Sequence, residues 1–504
     1  MKVYLAGFNV DTEVLRQLEE KGGKRTDITP EVLSASYARI SRDPRPINEI
    51  RKTAREEVDK SRRSNSTIIF KMGHHSVAEH AVFSLDILGV SRYVIEELEK
   101  FRLCAYTEKS QRYITLDNDY IIPDEIKGSN LEKVFIDMIA EQNEMYFKLY
   151  EKLKEHVFNK NPELAKDPKN HNLLEGWAKE DARYIVALAT QAQVGQTINA
   201  RNAELLLRRF ASHSSSEVKK LGRAIYEQIS SIAPSIVLFH EANNRDSKTY
   251  PELKKLSDKI LAGVSDRARE KEEEKVKLVE YTEGADDIIA ASLLHASSSL
   301  SFEKCKDKVK SLDEGEKLEI FKASWRNLQL YDSLLREFEY VNLTFNIILS
   351  SACFGQLKRH RMSTITSQAY DPSLGVTIPE SIKKIGMESE FNKIIEKTNR
   401  AYEQINQEVP LAAPYLLTNA HRKRVLIRVN ARELYHISRL REDTHAQWDI
   451  QNISRAMARE AKKVMPLTFA LIGGKDKYNQ IYQKLYGVLP EVTEVALPEA
   501  RKIE

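Results

Sequence analysis

Cysteine is scarce in this sequence: Cys104, Cys305 and Cys353 are the only three in 504 residues, and no two form a CxxC pair. That scarcity excludes a disulfide framework and a thiolate metal cage, points to a reducing compartment, and leaves buried, inert thiols as the default. No stretch reaches the ~18 consecutive apolar residues of a membrane-spanning helix. The opening MKVYLAGFNVDTEVLRQLEE has one Lys and a short apolar run before its acids, so no secretory signal is expected. Net charge is nearly absent, +4 from 78 basic and 74 acidic side chains. Bulk charge therefore announces neither a nucleic-acid coat nor a membrane patch, and any anion site must come from local arginine clusters. Neither GxGxxG nor GxxxxGK[ST] occurs, so the common Gly-rich phosphate cradles are not in use. What is present is 41% apolar residues over a long chain, enough for two or three domains with full cores. A cytoplasmic globular protein without membrane or nucleic-acid partners is expected.

The chain reads as one unit written twice. Residues 188–212 (LATQAQVGQTINARNAELLLRRFAS) and 425–443 (VLIRVNARELYHISRLRED) share Asn-Ala-Arg, a helix-period segment and an Arg-rich end. Each is followed by a helix-opening signature, Ser214 with Glu217 and Thr444 with Gln447. MKVYLAGFN and EKVKLVEYTEG are strand-like starts, each followed by a small-residue patch, LSASYARIS or ASLLHASSS. The expected division is a first repeat at 1–265, a charged linker at 266–274 and a second repeat at 275–504. Periodicity predicts long amphipathic helices over Leu131–Val157 and Phe391–Val409. AVFSLDILGV and VNLTFNIILSSACF read as strand or strand-to-helix.

Four clusters could carry chemistry. Gln356-Leu-Lys-Arg359-His360-Arg361 follows an apolar run, and guanidinium groups at the end of a buried element can grip phosphate; a solvated basic face is the bland alternative. Glu108-Lys-Ser110-Gln111-Arg112-Tyr113 would align an acid, a hydroxyl and an Arg on one side if extended. Such a strip can hold a phosphate, or can be a half-exposed strand with an ion pair. His75 and Glu79 in Gly73-His74-His75-Ser76-Val-Ala-Glu79-His80 would share a helix face, but no third ligand is evident and no metal is expected. Asn430 can cap the helix that follows it. Arg432 and His436 share one face of that helix and Arg441 projects to the other, so the two faces should serve different ligands or different active sites; a surface helix with Arg side chains over its apolar stripe is the bland alternative.

Taken together, HxSxxEH, Glu-x-Ser-x-Arg-Tyr, Arg-His-Arg, and Asn-Ala-Arg with a downstream Arg and His-Ala-Gln-Trp resemble the flavin-dependent thymidylate synthases, whose motif is Arg-His-Arg, seven residues, Ser. The resemblance spans nearly the whole chain. It implies an α+β fold, two tandem copies packed as a pseudo-dimer, and a methyltransferase that converts dUMP to dTMP. Methylenetetrahydrofolate would be the one-carbon donor, with FAD as cofactor and NADPH as reductant, and without a catalytic cysteine.

The two copies depart from the family reciprocally. In the first, Lys100-Phe101-Arg102 stands in the Arg-His-Arg slot, Glu97 in the Gln slot and Leu205 where the second has His436, while Arg209 fits only with a one-residue deletion. That copy keeps Glu108, Ser110, Gln111, Arg112 and Arg183 for dUMP. The second keeps Gln356, Arg359, His360 and Arg361, but its strip reads Ser367, Ala369 and Asp371, and Pro414 replaces the second dUMP-binding Arg. The resemblance implies dUMP sites built from Glu108, Ser110, Gln111, Arg112 and Arg183 with Gln356 and Arg359. FAD would lie against Ser76, Glu108, Arg359, His360, Arg361, Asn430, Arg432 and His436. Arg441 would stabilise the ionised uracil N3. Two chains would then form a homodimeric pseudo-tetramer with two complete and two degenerate sites. The alternatives are an inactive flavin- or nucleotide-binding homologue and a nucleic-acid-binding protein.

Overall fold

The computed structural model describes residues 1–21, 28–112, 119–264 and 275–491, so the expected linker 266–274 and Tyr113 lie outside the described residues. Helices and strands alternate irregularly along the chain, and the strands build two four-stranded antiparallel sheets of the same order. Strands β1 (Lys2–Phe8), β2 (Val82–Ser91), β3 (Cys104–Glu108) and β4 (Gln191–Asn199) form one, in the order β1-β2-β4-β3. Strands β5 (Val276–Tyr281), β6 (Asn342–Ser350), β7 (Thr364–Ser367) and β8 (Arg422–Asn430) form the other, in the order β5-β6-β8-β7.

The likeness extends to detail. Both outer pairs slip register in the middle of the first strand, between Leu5 and Gly7 and between Leu278 and Glu280. The long central strands end in serines that cap the next helix, Ser91 at the Val94 N–H (3.1 Å) and Ser350 at the Cys353 N–H (3.0 Å). Each capping hydroxyl donates to a carboxylate two residues into a later helix, Ser91 to Glu217 (2.8 Å) and Ser350 to Asp449 (2.6 Å). These bonds replace the expected capping signatures. The helix Ser216–Ser230 begins after Ser215, and Glu217 turns to Ser91 instead of closing a box with Ser214. The helix Trp448–Val464 begins after Gln447, with Thr444 outside it. A buried serine hydroxyl and N–H are stronger claimants for a carboxylate than a solvated helix end.

Two compact units result, 1–266 with 378–420, and 267–377 with 421–504. The expected long helices are Asn130–Lys160 and Glu388–Glu408. The second lies in the sequence of the second repeat but packs in the first unit. There, Gln142 of the longer helix donates to Thr398 Oγ1 and to the Leu416 carbonyl, both at 2.9 Å. The stretches 184–189 and 415–420 pair antiparallel beside it, with Ala187 opposite Thr418. Each of those two residues stands at the same distance before the Asn that ends its repeat's long strand, so equivalent segments meet about a local two-fold.

In the second unit, Phe345, Ile347, Val425 and Ile427 of the sheet pack with Phe321, Trp325, Phe338 and Met457 of the surrounding helices. All three cysteines are buried. Among the described residues no helix is long and apolar enough to cross a membrane, and no group of three His, Cys, Asp or Glu could hold a metal ion.

Candidate functional site

In the first unit the strip from Glu108 to Arg112 is not one extended segment. Strand β3 stops at Glu108, and Ser110 Oγ accepts the Arg112 N–H at 3.1 Å. A hydroxyl that satisfies the backbone two residues on stabilises a turn against the ladder. The turn separates the side chains that an extended strip would have aligned. Glu108 pairs with Arg92 beside the sheet. Gln111 is turned inward, 7% exposed, and its Oε1 accepts from Asn419 Nδ2 at 3.1 Å. Arg112 aims both Nε and Nη2 at one oxygen of Glu180, at 2.9 and 2.8 Å.

Glu180 stands near the end of the helix His171–Ala182, three residues before Arg183, so one helical turn brings the two together. Arg183 Nε donates to the Glu180 carbonyl at 3.3 Å, and Asn419 Nδ2 donates to the Arg183 carbonyl at 2.9 Å. Burial pushes the Glu180 carboxyl above its ordinary range although Arg112 and Arg183 pull it down. Burial also weakens the proton affinity of Arg183, which is 5% exposed. Gln111 Nε2 and Arg183 Nη2 have no hydrogen-bond partner among the described residues. Two buried donors left in this state beside a second guanidinium, that of Arg112, are suited to an anion, since unpaired buried donors are costly unless a ligand meets them. Sequence reasoning missed Glu180 and Asn419; only the Glu-x-x-Arg spacing hinted at the first.

In the second unit Gln356, His360, His436 and Arg441 come together. Arg441 Nε donates to His360 Nε2 at 2.9 Å and its Nη2 to the Gln356 carbonyl at 3.2 Å. The Gln356 amide donates to Gln447 Oε1 at 3.2 Å. His360 is 3% exposed, and burial, then Arg441 and His436, holds its ring well below the ordinary imidazole range. A neutral ring that accepts at Nε2 carries its proton on Nδ1, which faces Glu433 at 3.6 Å. Arg359 is exposed and Arg361 half-buried on either side of this anchored ring.

Asn430 caps the helix Ala431–Arg441 through the Glu433 N–H at 2.8 Å, as expected. Arg432 donates to the Leu334 carbonyl (2.7 Å) and Glu339 (3.0 Å). Arg432 and Arg441 therefore do take different partners. The separation of His436 from Arg441 does not hold, because the His360 ring, 5.8 Å from that of His436, also takes the Arg441 bond. A long side chain at a helix end sweeps round the axis further than a helical projection allows. Ser76 is exposed on the tight turn His75–His80. That turn is a 3-10 helix, which removes the shared face proposed for His75 and Glu79. Glu79 pairs instead with Arg201, as Glu339 does with Arg432.

The vacated slots are filled. Lys100 pairs with Glu97 at 2.5 Å, and Phe101 packs on Phe210 with the Arg209 guanidinium 5.8 Å from its ring centroid. Arg209 thus caps Phe101 as Arg441 caps His360. In the second strip Asp371 accepts the Ser373 N–H at 2.9 Å, within its own turn.

The family model of the thymidylate synthase complementing protein matches residues 26–235 and 277–467. A Thermoplasma acidophilum protein named UPF0159 protein is 23% identical over 441 residues, 80% of this chain and 87% of the relative. A Chlamydia pneumoniae protein of the same name is 25% identical over 432 residues, 82% of this chain and 80% of the relative. Those names state no activity. A Clostridium tetani protein named flavin-dependent thymidylate synthase is 29% identical over 211 residues, 41% of this chain and 80% of the relative.

Proposed function

This chain belongs to the thymidylate synthase complementing protein family as a tandem duplication, and on that premise we propose that it is a flavin-dependent thymidylate synthase. Its reaction would convert dUMP to dTMP with methylenetetrahydrofolate as one-carbon donor, FAD as cofactor and NADPH as reductant. The observation that carries the reading is the pair of buried donors without a partner among the described residues, Gln111 Nε2 and Arg183 Nη2, beside Arg112. They suit a nucleotide phosphate, which offers several acceptor oxygens and full negative charge. Glu108 and Ser110 would shape the edge of that site.

FAD fits the chemistry of the second unit's donors. Arg359 and Arg361 flank an anchored, neutral His360, and two guanidinium groups match a diphosphate. Asn430, Arg432 and His436 would line the same cofactor, with Ser76 and Glu108. When bound, FAD would supply the hydride that completes the methyl group, and NADPH the electrons that restore it. Arg441 donates to a neutral ring and to a carbonyl, and its guanidinium keeps its charge at neutral pH. It can therefore stabilise negative charge at the uracil N3. Gln356 and Arg359 would complete the nucleotide site. The reciprocal losses favour assembly from two copies of the chain, as a homodimeric pseudo-tetramer with two complete sites.

A second reading, flavin or nucleotide binding without catalysis, is favoured by the packed replacements Phe101 and Asp371. The absorption spectrum of the purified protein separates the two, followed anaerobically as NADPH and then dUMP are added. A flavin spectrum whose reduction responds to dUMP, with dTMP formed once the folate is present, supports the synthase. NADPH oxidation indifferent to dUMP supports the second reading. A colourless protein that takes up no FAD contradicts both flavin assignments.

A further inference from the structure

Glu180 is the one carboxylate that a phosphate site should not contain. Its Oε2 receives both Arg112 bonds, at 2.9 and 2.8 Å, and its own carbonyl receives Arg183 Nε. The residue is almost fully buried, 6% exposed, and lies beside two donors that have no hydrogen-bond partner among the described residues, Gln111 Nε2 and Arg183 Nη2. Asn419 reinforces the arrangement by holding the Gln111 amide oxygen, which leaves the amide nitrogen as the group presented. A carboxylate in this place imitates one edge of a phosphate. A phosphate dianion and an ionised Glu180 cannot both occupy the neighbourhood of Arg112 in a low-dielectric site without strong repulsion.

We infer that Glu180 is an internal stand-in for the substrate's phosphate: a phosphate monoester takes Arg112 from it, and the displaced carboxylate binds one proton from solvent. This inference rests on the nucleotide reading of the site. Among the described residues, Lys179 precedes Glu180 on its helix and turns its ammonium to Glu175, and Arg92 pairs with Glu108. Arg112 follows β3, Arg183 follows the helix His171–Ala182, and Asp181 is its neighbour on that helix. The adjoining helix Asn130–Lys160 directs Lys154 and Tyr150 to Glu175, five residues earlier, and Ser381 of Glu380–Lys384 bonds Asp181. Nothing among these replaces the two arginines as counter-ions. Once a dianion claims Arg112, protonation is the remaining way to relieve Glu180. The proton comes from bulk water, and no bond to carbon or phosphorus changes.

Three consequences separate this device from a merely structural ion pair. Ligand binding should take up a proton beyond any the ligand brings. The charge-neutral Glu180→Gln should bind more tightly at pH 8, by roughly tenfold, with the gain shrinking as pH falls. Sulfate, which neither gains nor loses a proton in this range, should show the same linkage.

The experiment is calorimetric titration of the full chain with dUMP and with sulfate, each in two buffers of different ionisation enthalpy, for wild type and Glu180→Gln. Proton uptake in wild type that is lost in the variant, with tighter binding, is the expected result. No proton uptake in wild type overturns the inference, and so does equal or weaker binding by a folded variant. Should Glu180→Gln fail to fold, the wild-type proton count with sulfate still decides. If sulfate shows the linkage and dUMP does not bind, the nucleotide reading fails and the stand-in survives. If dUMP binds without linkage, the reverse holds.

Discussion

One repeat buries Gln111 with an amide donor that has no hydrogen-bond partner among the described residues, whereas the other, at the corresponding place, buries Tyr370 beneath a lysine. Tyr370 is 5% exposed, and Lys423 Nζ lies 4.1 Å from its ring centroid and 4.4 Å from that of Phe354. The other half of the site shows the opposite exchange. His360, held by Arg441 and facing Glu433, corresponds to Phe101, which is simply packed under Arg209. Sheet order, register slip, serine caps and the Arg–Glu pairs of the Asn-Ala-Arg segments are shared. The scaffold is therefore present twice, and on the proposed reading each copy keeps a different half of the chemistry. Apolar or self-satisfied groups fill the positions that the proposed sites leave unused, which is what a close-packed interior demands.

The largest effect should come from the retained arginines. Arg112→Ala and Arg359→Ala, in different repeats, should each lower dTMP formation by at least about a hundredfold; the melting temperature should hold in the exposed Arg359→Ala and fall in Arg112→Ala, which strips the buried Glu180 of its ion-pair partner. Steady-state assays check this, and a fully active variant of either kind would break the division of labour between repeats.

Importing the residue of the other repeat should come next. His360→Phe leaves the half-buried Arg441 Nε without its His360 acceptor, and a loss of about 1–3 kcal/mol in unfolding free energy is expected, together with weaker flavin retention. The same variant should alter the response to acid. The ring titrates well below its unfolded value of about 6.5, so the unfolded state takes up the proton first. Its contribution is therefore complete above that pH and is lost as pH falls below it. Wild type should lose more stability than His360→Phe between pH 6.5 and 5, measured by denaturant titration; parallel curves would place the acid sensitivity elsewhere.

The smallest effect belongs to Tyr370→Gln. Losing the lysine–ring contact should cost about 0.5–2 kcal/mol of stability, and thymidylate formation should not change. Loss of activity in that variant would mean that the second strip still touches a ligand.

Much of this comparison was legible in the sequence. The strands came from short β-branched runs, the two long helices from three- and four-residue spacing, and the Asn430 cap from its place before a helix. Local chemistry decides such features. The turn at Ser110 was not legible, because a serine between a glutamate and an arginine suits a strand equally well until its hydroxyl finds the backbone. Glu217 and Asp449 answer to serines far away in the chain, so a nearby capping signature misled. The pairing of 415–420 with 184–189, and hence the grip of Asn419 on Gln111, depends on which helix meets which, and periodicity carries no such label. Glu180 was hidden for a different reason: its role appears only once Arg112 turns back on it.

The most direct test of two half-sites completed between copies of the chain is complementation. Arg112→Ala and Arg359→Ala chains carrying different tags would be co-expressed, and the doubly tagged heterodimer isolated and assayed for dTMP formation. One of its two sites would hold both damaged residues and the other neither, so about half the wild-type activity per dimer is the expected result. A heterodimer no more active than either parent variant would contradict the account.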